Sequence, residues 1–92
     1  MRCPGDWSSK IAGLLLDKVT EADFFAAAGS PDTERDHGQH CEAWYFVGMK
    51  QLLGGDKKRA GDCFGKCLAT GMFGYTEYAL AQAELKKLTT TN

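Results

Sequence analysis

A chain of 92 residues with 43% apolar and 25% charged side chains is one small globular domain, neither a disordered segment nor a string of domains. Its formal net charge of −1 supplies no field to draw nucleic acid or an anionic membrane. Its longest aliphatic run, residues 11–16, is far too short to span a bilayer. Residues 1–40 hold four basic and seven acidic side chains, and residues 41–92 hold seven and five, an imbalance too small to select a polyanion. No apolar stretch follows Arg2 and no lipoprotein-type lead-in precedes Cys3, so the expected compartment is the cytoplasm. A periplasmic location is the alternative if the chain is a piece of a longer secreted or lipid-anchored protein.

Helical signals run almost end to end, and no window sustains the period-two alternation of a strand. Asp6 is placed to cap a helix over about Trp7 to Lys18, with Trp7, Ile11, Leu14 and Leu15 on one face. Thr20 followed by Asp23 has the form of a capping box and opens a short helix, about 21–28, that presents Phe24, Phe25 and Ala28. The run Gly29-Ser30-Pro31-Asp32 stops one helix and starts another, Pro31 suiting a first helical position. The third helix is expected from Asp32 or Thr33 to Leu53, polar at first and apolar from Cys41 onward. Gly54-Gly55 ends it and Asp56 caps a fourth, about 57–70, burying Ala60, Cys63, Phe64, Cys67 and Leu68. Gly71 and Gly74 break that helix, and Thr76 is expected to cap the last one. Tyr78, Ala81, Leu85 and Leu88 make its narrow apolar stripe, and the tail 89–92 is expected to fray. The prediction is an all-α single domain over 1–92, its short connections making neighbouring helices antiparallel.

Trp44, Gly48, Ala60 and Phe64 fall on the spacing W-x-x-L-G-x-x-Y…A-x-x-x-F. Residues 41–74 therefore resemble one tetratricopeptide repeat. Each match has a mechanical reason: Gly48 and Ala60 are small where two helices approach closely, and Trp44 and Phe64 are large where space must be filled. Val47 stands for the Leu of the pattern, Gln51 for its aromatic and Met72 for its closing proline. Residues 75–88 look like the helix that caps such arrays, and 7–30 resemble the helical lead-in found in bacterial tetratricopeptide proteins. The chain is thus similar to the C-terminal part of a bacterial protein of that family. The resemblance implies a right-handed stack of helix hairpins that binds a protein or peptide, with no catalysis and no cofactor. It also implies a partner-binding face at Glu42, Tyr45, Met49 and Leu52. Tyr45 and Met49 stand where some relatives carry Lys and Asn to clamp a C-terminal carboxylate, so that clamp is missing.

The four cysteines pose the competing reading. Cys63 and Cys67 are one helical turn apart, while His37, His40 and Cys41 lie on the preceding helix. A hairpin turning at 54–56 sets Cys63 level with Val47 and Cys67 level with Ala43, bringing His40 and Cys41 within a turn of Cys67. A zinc or thiol site of Cys41, Cys63, Cys67 and His40 is therefore the alternative function. Packing is the simpler account, because Cys67 occupies a position where the repeat takes a small buried side chain, and free cysteine is commonly buried. A catalytic thiol is disfavoured: the face around Cys63 and Cys67 is apolar, and Glu42 follows Cys41. Lys57, Lys58 and Arg59 lack interleaved aromatics and read as a solvated face rather than a nucleic-acid contact. With one repeat and no earlier one to cover it, the first helix is expected to expose apolar surface from Trp7 through Ile11 to Leu15 and to carry a homodimer interface.

Overall fold

The computed structural model describes residues 7–29 and 32–90, and all of their regular structure is helical. Five helices follow in order: α1 (Trp7–Leu15), α2 (Glu21–Ala28), α3 (Thr33–Leu53), α4 (Lys57–Ala69) and α5 (Thr76–Thr90). The expected cap at Asp6 and the Pro31 expected at a first helical position lie outside the described residues, as does the end of the tail. No helix among the described residues is long and apolar enough to cross a membrane.

The boundaries follow from local chemistry. Helix α1 ends a turn earlier than the apolar pattern suggests, because Asp17 takes a left-handed conformation (φ 60°). The Lys18 amide then donates to the Gly13 carbonyl at 2.7 Å and the Asp17 amide to that of Leu14 at 3.1 Å, the double closure that satisfies a helix's last carbonyls. Thr20 Oγ1 accepts from the Asp23 amide at 3.1 Å, opening α2 as the capping pattern predicts. Asp32 Oδ1 caps α3, accepting from the amides of Glu34 and Arg35 at 3.0 and 3.2 Å. Between α3 and α4, Gly55 adopts φ 91°, and Asp56 Oδ1 accepts from the Arg59 amide at 3.1 Å. Thr76 is the first residue of α5 rather than its cap.

Helix α3 is the spine. It touches each of the other four helices, α4 packs in turn on α5, and α1 packs on α2. The molecule measures 40 × 28 × 17 Å, its thinnest dimension being about two helix layers. Its core forms two clusters on either side of α3. The first gathers Trp7, Leu14, Phe24, Ala28, Ala43, Val47 and Cys63. The second gathers Cys41, Ala60, Phe64, Cys67 and Ala81, with Tyr78, Leu85 and Leu88 of the α5 stripe packed against it.

Short helices that are marginal alone need tertiary contacts to persist, and aromatic rings supply them for α1 and α2. Trp7 stacks on Phe24 at 4.8 Å between centroids, Phe24 meets Phe25 edge-on at 6.0 Å, and Phe25 tilts against Trp44 at 4.3 Å. Trp7 is consequently 3% exposed and Ile11 half-buried, so of the apolar surface expected to be open from Trp7 to Leu15 only Leu15 is exposed, with Leu16 just beyond α1. The reason is intramolecular: α2 folds back and Phe24 covers the ring. The side-chain amide of Gln39 caps the end of α2 from α3, donating to the Ala28 carbonyl at 2.8 Å.

Candidate functional site

The residues of the repeat-like spacing come together in the α3–α4 hairpin. A methyl placed on Gly48 would sit 2.7 Å from Phe64 Cε1 and 3.2 Å from Cys63 Cβ, so the helices meet there closely enough to admit only hydrogen. Ala60 and Phe64 are fully buried, and Trp44 is half-buried between the two clusters.

The four residues expected to face a partner are placed differently from one another. Glu42 is 2% exposed, and its Oε1 accepts from Trp7 Nε1 at 2.6 Å. It is therefore withdrawn from solvent by α1. Tyr45, Met49 and Leu52 are half-buried and pack against the second cluster, toward α4 and α5. Burial, with Glu84, Glu77 and Cys67 nearby, pushes the Tyr45 phenol above its usual range. Helices α1 and α5 thus flank α3 on the sides where an open face was expected.

The alternative ligand set is not assembled. Cys41 and Cys67 adjoin, with Sγ atoms 3.4 Å apart, but Cys63 belongs to the other cluster. His40 Nδ1 is turned to its own helix, 2.7 Å from the Asp36 carbonyl oxygen. Among the described residues no group of three or more His, Cys, Asp or Glu side chains converges as a metal site requires. Burial raises the pKa of both Cys63 and Cys67, against what a nucleophilic thiolate needs; in Cys67 the hydrogen bond to Cys41 adds to it.

What the structure does present is a cleft of about 240 Å³ between α2 and α4, floored by α3. Phe25, Trp44, Val47 and Cys63 make its apolar lining, and Glu21, Arg59, Asp62 and Lys66 stand around it. Arg59, Asp62, Cys63 and Lys66 recur at three- and four-residue steps, so one face of α4 looks into it. Glu21 fixes one end, its Oε1 accepting from Arg59 Nη2 at 3.2 Å and its Oε2 from Gln51 Nε2 at 2.5 Å. Lys66 Nζ lies 4.8 Å from the centre of the Trp44 ring, a cation over an aromatic face.

No protein-family model matches the chain, and no curated protein or solved structure matches it either.

The cleft was hidden from spacing alone because its two walls come from helices separated by all of α3. One signal was present: the charged positions 59, 62 and 66 flank Cys63 on a single stripe, where a purely solvated face would have had no apolar centre. The Trp7–Glu42 bond had no sequence signal beyond a carboxylate amid apolar neighbours.

Proposed function

We propose that the chain is a protein-interaction module of tetratricopeptide kind, binding a segment of a protein or peptide partner and carrying no catalysis. The cleft over Trp44 carries this reading. A partly exposed aromatic floor ringed by charged side chains has the anatomy of a small interface, an apolar centre with a polar rim. Trp and Arg are the side chains on which binding energy most often concentrates. The thin two-layer stack around a glycine-notched hairpin supports the repeat-like part of the reading, since that build leaves broad helical faces for contact. A location in the bacterial cytoplasm belongs to the same proposal.

Affinity capture with the full chain, followed by calorimetric titration of the purified partner, tests it. Charge reversal at Asp62 or Lys66, both exposed, is expected to weaken binding several-fold while leaving the melting curve in place. Unchanged affinity in both variants would move the interface elsewhere, and partner-independent turnover of a small molecule would end the reading. Self-association through α1 rests on the narrower ground of Leu15 and Leu16, which are 47% and 64% exposed. A dimer in sedimentation that Leu16→Ser dissolves would support it; a clean wild-type monomer would remove it.

A further inference from the structure

Cys41 on α3 and Cys67 on α4 are each 0% exposed, and their sulfurs are already in contact at 3.4 Å. The Cys67 thiol is also 3.1 Å from the Cys41 carbonyl oxygen and 3.8 Å from that of Glu77 on α5. Cys41 sits within α3 and Cys67 in the last turn of α4, both in the second core cluster. Disulfide formation asks the sulfurs to close to about 2.05 Å, a shift on the order of 1 Å within the reach of side-chain rotation. Cys63, one turn earlier on α4, faces the other cluster and has no such neighbour among the described cysteines.

We infer that Cys41 and Cys67 are an oxidation site: a low-molecular-weight disulfide converts them to an intramolecular disulfide that staples α3 to α4. In the first step one cysteine, as thiolate, attacks a sulfur of the oxidant. A mixed disulfide forms, the oxidant's S–S bond breaks, and one small thiolate leaves and takes up a proton. In the second step the neighbouring cysteine attacks the mixed disulfide, the Cys41–Cys67 bond forms and the second small thiol is released. Two electrons pass from the protein sulfurs to those of the oxidant, and the two protein protons end on the released thiols. Burial keeps both thiols out of reach of the oxidant until α3, α4 and α5 part locally, so opening sets the rate. Once closed, the bond is shielded by the same packing.

The test treats the full chain with oxidised glutathione, blocks remaining thiols with iodoacetamide and digests with trypsin without reduction. Cleavage after Lys66 separates Cys63 from Cys67. The expected product joins peptide 36–50 to peptide 67–86 and is lighter than their sum by two hydrogens, while peptide 60–66 carries alkylated Cys63. Formation is expected to speed up in mild urea, and the oxidised chain to melt roughly 10 °C higher than the reduced one. Cys63→Ala is expected to leave the crosslink intact. A crosslink through Cys63, a glutathione adduct on Cys41 or Cys67 that never resolves, or full alkylation after refolding in a glutathione redox buffer would each overturn the assignment.

Discussion

On the α1–α2 side of the spine the core is made of rings: Trp7, Phe24, Phe25 and Trp44 pass contact from helix to helix. On the α4–α5 side the fully buried residues are the small Cys41, Ala60, Cys67 and Ala81 around the ring of Phe64, with Tyr45, Tyr75 and Tyr78 packed only at the edge. The difference tracks helix length. Helices α3 and α4, with 21 and 13 residues, lie flush against each other because small side chains and Gly48 allow it. Helices α1 and α2, with 9 and 8 residues, are too short to stand alone and are held by large rings that reach across to α3. The hairpin is thus the foundation and the aromatic side is built upon it.

Truncating one buried ring on each side breaks that comparison most sharply. Phe24 and Phe64 are both 0% exposed, and either change to Ala typically costs about 3–5 kcal/mol. Phe64→Ala is expected to unfold the whole chain, because α3 loses its principal partner. Phe24→Ala is expected to release α1 and α2 while amide hydrogens in α3, α4 and α5 stay protected. Hydrogen exchange by mass spectrometry reads the difference, and equal loss of protection throughout both variants would show one indivisible core.

Gly48→Ala drives a methyl into Phe64 and is expected to cost about 1–3 kcal/mol by overpacking, seen as a lower urea midpoint. Trp7→Phe keeps the ring but removes the donor to Glu42, and leaving a buried acceptor without this bond costs about 1–3 kcal/mol. That loss is expected to appear as faster exchange in α1 and α2 rather than in α4. A gain in stability would mean that the bond contributes nothing.

The thiols give the pH dependence. Cys67 and Cys63 are raised above the ordinary thiol value of 9.0, chiefly by burial. Their neutral form is favoured by folding, so this stability is fully present below pH 9 and drains as pH rises past it. The slope for each thiol is at most about 1.4 kcal/mol per pH unit. Urea midpoints are expected to be level to pH 8 and to fall beyond 9, and Cys67→Ala, on the small-residue side, is expected to flatten that fall more than Cys63→Ala. An alkaline limb unchanged by either variant would place its origin elsewhere.

Much of this architecture could be read from residues alone. Caps at Thr20 and Asp56 and the turn at Gly55 act through short-range hydrogen bonds or backbone geometry, which spacing reveals directly, whereas the cap at Asp32 was not read from the Gly-Ser-Pro-Asp run. The α5 stripe and the close approach at Gly48 were legible for the same reason. What sequence could not give was how α1 and α5 dock. Trp7 reads as an exposed end of an apolar face until Phe24 is seen to cover it, and Glu42 reads as an outward carboxylate until Trp7 is seen to bond it. The early stop at Leu15 was equally hidden, since nothing in the run of leucines marks Asp17 for a left-handed conformation. The cleft depends on the spatial meeting of α2 and α4 across α3, a tertiary fact that no local pattern encodes.

The two tryptophans allow the central proposal to be tested in one spectrum. Trp7 is buried and hydrogen-bonded to Glu42, while Trp44 is half-buried on the floor of the cleft. Each indole N–H gives one peak in a nitrogen–proton correlation spectrum of labelled protein, assignable with Trp7→Phe. On titration with the captured partner, the Trp44 peak is expected to shift or broaden and the Trp7 peak to stay in place. Saturating partner that leaves Trp44 unmoved, or that moves Trp7 alone, would contradict the assignment of the cleft as the binding site.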